Sequence, residues 1–288
     1  MSLLWRNRID VFLAPGHITL AQSPGNRIPV KPSATHPAVT IPIAPPEPGH
    51  VAWEKPLQQL DEILHKNTGA GMTMTLSNHF VRYATLMPQV EITSPEEVMA
   101  YADFRMREIY GTRVDHWVIS ISSWNPVYGA ISAAIPQELM AKIVEICERH
   151  TIRLNGIEPY FTAVLDRWEK QLDRNKSYVA VIETGRLCIG VLENNIWRNI
   201  RNQRLQSGQH NQHGIAEALW AALDQEAVLS GHKDSIEQVF LFAPEHPSLV
   251  LPPDCGWRTT PLSAGSSPAP GHYPKPLTES AEENACHA

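Results

Sequence analysis

Residues 179–191, Val-Ala-Val-Ile-Glu-Thr-Gly-Arg-Leu-Cys-Ile-Gly-Val, set two apolar, β-branched runs on either side of Glu183-Thr184-Gly185-Arg186. Such runs pair only if the chain reverses tightly between them, so the segment reads as a hairpin whose turn carries one carboxylate and one glycine. A turn of this kind can cradle a phosphate through its backbone N–H groups while the acid positions a metal. The N-terminus repeats the plan. Val11 to Leu20 is again strand, Pro15-Gly16 turn and strand, but Leu13 and Ala14 stand where the acid would be needed. Two hairpins about 170 residues apart predict a duplicated, two-lobed fold with a weakened nucleotide site.

Composition sets the outer bounds. A chain of 288 residues with 43% hydrophobic residues can bury one large core or two modest ones. A net charge of -6 and a pI near 6.1 exclude the overall basic face of a nucleic-acid binder. Cys147, Cys188, Cys255 and Cys286 are scattered without metal-ligand or redox spacing, which suits buried thiols in a reducing cytosol. Charge appears by Arg6, so no signal peptide is read at Met1, and no apolar run reaches the ~18 residues of a membrane span. The expectation is a soluble, cytoplasmic protein.

Between Ser23 and Gly49 stand Pro24, Pro29, Pro32, Pro37, Pro42, Pro45, Pro46 and Pro48. Each removes an N–H and fixes φ, so 31–49 reads as an extended loop, with at most a short edge strand around Arg27 to Val30. The Ser-, Pro- and Gly-rich stretch 263–288 reads as a disordered tail. Between them helices and strands interleave, which predicts an α/β fold. Helices are expected over 51–66, from Ser94-Pro95-Glu96-Glu97 to a stop at Gly111, over 136–150, from Pro159 and over 214–229. Strands are expected over 72–76, 80–86, 117–122, 129–134, 154–157, 179–191, 196–201 and, as the last clear one, 239–242.

This order resembles the actin-like pilus-assembly proteins of the PilM type and, more distantly, the cytoplasmic domain of the GspL-type protein of type II secretion. The resemblance covers roughly Val11 to Leu262 and is most specific from Met72 to Lys170. There the strand Met72-Thr-Met-Thr-Leu-Ser leads into His79-Phe-Val-Arg-Tyr-Ala-Thr-Leu-Met-Pro88. An acid-capped helix and two strands follow, and the helix from Gln137 to His150 delivers the chain to Leu154-Asn-Gly-Ile-Glu-Pro-Tyr160. The resemblance implies an actin-like ATPase fold with two ribonuclease-H-like lobes. Residues 1–158 would form the first, with a subdomain inserted over about 79–134, and residues 159–262 a shortened second.

Within that resemblance the remnant nucleotide loops are Gly16 in the first turn and Glu183 and Gly185 in the second. The family's first loop offers an aspartate and glycines; here Pro15 and His17 flank Gly16. Its adenosine loop offers a glycine pair; here Phe242 is followed by Ala243-Pro244-Glu245. Proline removes an amide donor and side chains at glycine positions block close backbone approach, so the reading expects no resident cofactor and weak or absent binding of ATP with magnesium. The resemblance implies a non-catalytic scaffold of a bacterial type IV pilus or type II secretion-like platform, held at the inner membrane by a partner. It would dock that partner's cytoplasmic N-terminal segment and also engage a motor ATPase. The alternative is a nucleotide-binding actin-like ATPase with divergent loops, in which Glu183 holds the metal through water.

Other candidates carry less. Arg82, on a strand between Val81 and Tyr83, is a candidate interlobe hydrogen-bond donor or partner contact, and the basic stretch Arg198, Arg201 and Arg204 is a candidate docking patch for an acidic partner segment. His210 and His213, with His232 downstream, lack further ligands nearby for zinc. A nuclease on this fold needs an acid in the middle of the first strand, whereas Asp10 reads as lying at the edge of Val11 to Leu13.

Overall fold

The computed structural model describes residues 8–23, 38–46, 49–65, 69–206, 211–231 and 236–262. The sheet order is the same in two halves of the chain. β1 (Arg8–Leu13) and β2 (His17–Ser23) form the first hairpin, and β3 (Val39–Pro42) adds to β2 antiparallel. After α1 (Glu54–Leu64), β4 (Gly71–Leu76) returns parallel to β1. β5 (Arg82–Leu86), α2 (Pro95–Tyr110), β6 (Trp117–Ile121) and β7 (Ala130–Pro136) make a separate three-stranded sheet with one helix. The chain then re-enters the first sheet through α3 (Gln137–Arg149) and β8 (Arg153–Pro159), parallel to β4.

The second half repeats this after α4 (Tyr160–Trp168). β9 (Lys176–Glu183), β10 (Arg186–Glu193) and β11 (Ile196–Arg204) run antiparallel; α5 (Gln212–Leu229), β12 (Glu237–Phe242) and β13 (Trp257–Pro261) complete the sheet with two parallel pairings. The orders β3-β2-β1-β4-β8 and β11-β10-β9-β12-β13 match position for position. The duplication read from the two hairpins is therefore present, and β1–β2 and β9–β10 are equivalent.

Local sequence explains the elements. Ser94 accepts from the Glu97 N–H while Glu97 accepts from the Ser94 N–H, and the Gly111 N–H bonds the Arg107 carbonyl, so α2 spans the residues its caps predict. Asn194 and Asn195 both take positive φ, 53° and 64°, as a two-residue turn between β10 and β11 requires. Two strands depart from expectation. β3 lies inside the segment read as loop, and β13 follows what read as the last strand. Both are edges of their sheets, where a proline costs no ladder bond on the solvent side. The edge strand expected around Arg27 to Val30 and the tail 263–288 lie outside the described residues.

Two cores follow from strand alternation. Leu187 and Ile189 face α5, in a cluster with Leu219 and Leu223. Cys188, Val179 and Val181 face the other way and join Ile9, Met74, Phe161 and Trp168. α4 sits at this seam: Tyr160 packs 4.7 Å from Phe12, and Trp168 packs 4.7 Å from Phe242. The first-lobe core and the inner face of the second sheet are thus one apolar body.

Candidate functional site

The two equivalent turns meet through Ser77, the first residue after β4. Its N–H donates to the Leu13 carbonyl at 3.0 Å, and its hydroxyl donates to Glu183 Oε2 at 2.5 Å. The other carboxylate oxygen, Oε1, accepts from the Asn78 N–H at 3.0 Å. Glu183 is only 4% exposed. Burial pushes its carboxyl up to about 7; the Ser77 and Asn78 hydrogen bonds pull it down, and the nearby Glu245 charge pushes it up. Gly185, at φ +76°, gives the turn its left-handed corner.

Asn78 extends the network. Its Oδ1 accepts from the Tyr83 hydroxyl at 2.7 Å and the Phe161 N–H at 3.2 Å, and its carbonyl accepts from Asn202 Nδ2 at 2.8 Å. One residue therefore ties β4, the inserted sheet, α4 and β11 together. His79 Nε2 lies 3.0 Å from the Thr184 carbonyl. Burial and the positive charges of Arg186, Arg204 and Arg82 push its imidazole down to about 4, so near neutral pH Nε2 carries the hydrogen and donates.

The second turn already holds an anion. The Thr184 N–H donates to Glu245 Oε2 at 2.9 Å, and the Thr184 hydroxyl donates to the same oxygen. Glu245 follows β12, so the segment expected to approach adenosine instead sends a carboxylate into the phosphate turn. In the first turn Pro15 has no N–H, the Ala14 N–H bonds the His17 carbonyl, and the Gly16 carbonyl accepts from Ile43. Across the mouth Tyr160 stands against Phe12 and Phe242, its phenol pushed up by burial and by the charges of Glu183 and Glu245. A magnesium nucleotide fits this donor set poorly. Glu183 has both oxygens engaged, and a phosphate on Thr184 would meet the Glu245 charge.

The structure brings Glu183 and Gly185 to the seam, with Gly16 in the equivalent turn. It sets Arg198 and Arg201 apart, while Arg82 stays beside His79. Arg82 Nη1 donates to the Val81 carbonyl at 2.8 Å and the His79 carbonyl at 3.3 Å. Arg198 pairs with Glu193 at 3.0 Å, and Arg201 donates to the buried Glu226 and, at 2.8 Å, to Gln225. Arg198 and Arg201 thus have acidic partners within the chain. Asp10 is the third residue of β1 rather than its edge, because β1 begins at Arg8; its half-exposed carboxylate pairs with Arg8 at 3.0 Å. Among the described residues no group of three or more His, Cys, Asp or Glu could hold a metal. The exposed His213 pairs with Glu217 one turn along α5, and His210 and His232 lie outside the described residues.

Away from the turns a concavity of about 400 Å³ opens between β6, the end of β8, α4 and the β10–β11 turn, with Ile121, Ile131, Ala163, Leu165, Asp166 and Trp197 in its walls. Sequence reasoning missed this groove, and it missed Ser77, Asn78 and Glu245. A signal existed for the residues: all three stand just beyond the carboxyl ends of β4 and β12, parallel strands at which α/β sheets place their sites.

No family model and no curated protein matches the sequence. Solved structures do. The fold is similar to a chain of the PilM–PilN type IV pilus biogenesis complex, with 18% identity and a TM-score of 0.63 over 88% of both chains. It is similar to the cytoplasmic domain of EpsL, an inner-membrane component of the type II secretion system of Vibrio cholerae, with 10% identity and a TM-score of 0.54 over 89% of this chain and 90% of that one. A Bacteroides thetaiotaomicron protein of actin-like ATPase fold and unknown function aligns at 9% identity and a TM-score of 0.56 over 82% of both. With the duplicated five-stranded sheets and the inserted three-stranded one, these likenesses establish that the chain has the actin-like ATPase fold.

Proposed function

We propose that this protein is a non-catalytic scaffold of a type IV pilus or type II secretion-like assembly platform, working from the cytoplasmic side through a membrane-anchored partner. The observation that carries the non-catalytic half is the Glu245 carboxylate on the Thr184 N–H and hydroxyl. A phosphate would compete with a covalently tethered anion for the same donors. Charge-assisted hydrogen bonds contribute roughly 1.5–3 kcal/mol each, so losing two of them costs on the order of a hundredfold or more in affinity. The scaffold half is supported by the fold shared with a chain of the PilM–PilN complex and with the EpsL cytoplasmic domain. No helix among the described residues is long and apolar enough to cross a membrane, which suits attachment through a partner. The groove beside α4 is the surface we assign to the partner's cytoplasmic N-terminal segment, since its apolar walls and Asp166 offer side-chain pockets along an extended path.

Calorimetric titration with Mg-ATP tests the first half: wild type is expected to show no low-micromolar binding. Co-expression with a membrane-anchored pilus or secretion platform protein of the same genome tests the second, with recovery in washed membranes expected only with that partner and lost in Ala163→Trp, which fills the groove. Low-micromolar Mg-ATP binding that disappears in Glu183→Ala would instead establish the ATPase reading.

A further inference from the structure

We infer that Arg82, Arg186 and Arg204 form an anion site for a phosphate-class oxyanion at the seam between the inserted sheet and the second lobe. The inference does not depend on the scaffold reading. In the β10–β11 ladder Arg186 stands directly opposite Arg204, and Cys188 opposite Asn202. Side chains alternate along a strand, so Arg186 shares the face of Cys188, and Arg204 the face of Asn202 and Ile200. That face is the seam: Cys188 and Ile200 belong to the first-lobe core, and Asn202 Nδ2 bonds the carbonyls of Asn78 and Val81. The segment it grips carries His79 and Arg82. Arg82 and Arg204 act electrostatically on both Arg186 and His79.

Three arginines therefore face one seam: Arg82 and Asn202 both donate to the Val81 carbonyl, and Glu183, directly opposite Arg186 in the β9–β10 ladder, is the acid beside them. Among the described residues none has an ion-pair partner: Arg82 donates only to backbone carbonyls, and Arg186 Nε is buried with no partner at all. The nearest acid, Glu183, spends both oxygens on Ser77 and Asn78. Like charges directly opposite in an antiparallel pair repel, and a half-buried guanidinium without a partner is costly. A sequence that places arginines at both members of one cross-strand pair, and a third facing them, has assembled forks suited to the oxygens of phosphate. A small tetrahedral anion held by these forks would bridge the inserted sheet and the second lobe, so its binding would be coupled to how firmly the one holds the other.

Because the anion would bind the folded chain alone, it should stabilise it by mass action. The test is thermal unfolding against inorganic phosphate at constant ionic strength, balanced with sodium chloride, for wild type, Arg186→Gln, Arg204→Gln and Arg198→Gln. Wild type and Arg198→Gln are expected to show a saturable rise in Tm of about 2–4 °C, the size that about a tenfold excess over Kd gives a protein of this length. Arg204→Gln, an exposed position whose change should not harm folding, is expected to lose that rise while starting no less stable than wild type. Broadening of the phosphate ³¹P resonance by wild type but not by Arg204→Gln reads the same binding directly. An equal, unsaturated rise in all four proteins, the general effect of an excluded salt, would overturn the site. So would stabilisation by a glutamate-rich peptide with none from phosphate, which would reassign the arginines to an acidic partner segment.

Discussion

Glu183 and His79 lie on the two sides of one turn, and their protonation pulls stability in opposite directions. The folded Glu183 carboxyl sits near 7 against an ordinary 4.5, so between those values the folded state keeps a proton the unfolded state has lost. Its contribution is complete below the unfolded value and is lost as pH rises through the folded one. The folded His79 imidazole sits near 4 against 6.5, so its contribution is complete above 6.5 and is lost as pH falls towards 4. The two slopes overlap and largely cancel in wild type. Glu183→Gln should unmask stability that rises from pH 4.5 to 6.5, and His79→Gln stability that falls from 4.5 to 7, each by on the order of 1–3 kcal/mol. Urea midpoints measured across that range are the check; parallel pH profiles for all three proteins would contradict it. Glu183 was legible in sequence as a turn carboxylate, but its fate was not. The groups that engage it are 105 and 106 residues away, and nothing in the local pattern of Ser77-Asn78 announces that they close on the second hairpin. Glu245 was hidden for the same reason, since its partner Thr184 lies 61 residues upstream.

Elements with local punctuation could be read, and those defined by their neighbours could not. The bounds of α2 follow from Ser94, Pro95, Glu97 and Gly111 because capping is chemistry within one turn of chain. Ser94→Ala should therefore cost about 1 kcal/mol, measurable as a shift in urea midpoint without a change of slope. β3 and β13 carry weak local signals, four and five residues each ending in proline, and exist because a sheet edge was waiting for them. A subtler case is Gly190 in the middle of β10. An interior strand glycine reads as a weak point, yet a Cβ there would come within 2.6 Å of the Phe161 ring and 2.9 Å of Trp197. The glycine lets α4 and the β11 tryptophan close over the sheet. Gly190→Ala should then destabilise by about 1–3 kcal/mol through overpacking, despite the higher strand propensity of alanine. A neutral or stabilising result in chemical denaturation would mean that the Phe161 ring moves aside freely.

At the scale of the molecule the duplication was legible from two hairpins, but the unity of the core was not. Two lobes suggest two folding units, each with its own transition. The packing argues otherwise, because Val179, Val181, Cys188, Phe240 and Phe242 of the second sheet lie in the same apolar cluster as Ile9, Met74 and Leu76 of the first. Trp168, 1% exposed, joins them by packing its ring at a tilt against Phe242 from α4, and the Ser77–Glu183 and Asn78–Asn202 bonds cross the same seam. Neither lobe can unfold without exposing the face the other covers. Calorimetric unfolding is thus expected to show one transition, with calorimetric and van't Hoff enthalpies equal. Trp168→Ala, which removes the largest side chain at the junction, should cost about 3–5 kcal/mol and lower that single transition, leaving its cooperativity intact. If the variant instead splits the trace into two transitions, the seam is a docking surface between independent lobes. The cleft could then open as a hinge, and the hydrogen bonds that fill it would act as a closable latch and not as part of a continuous core.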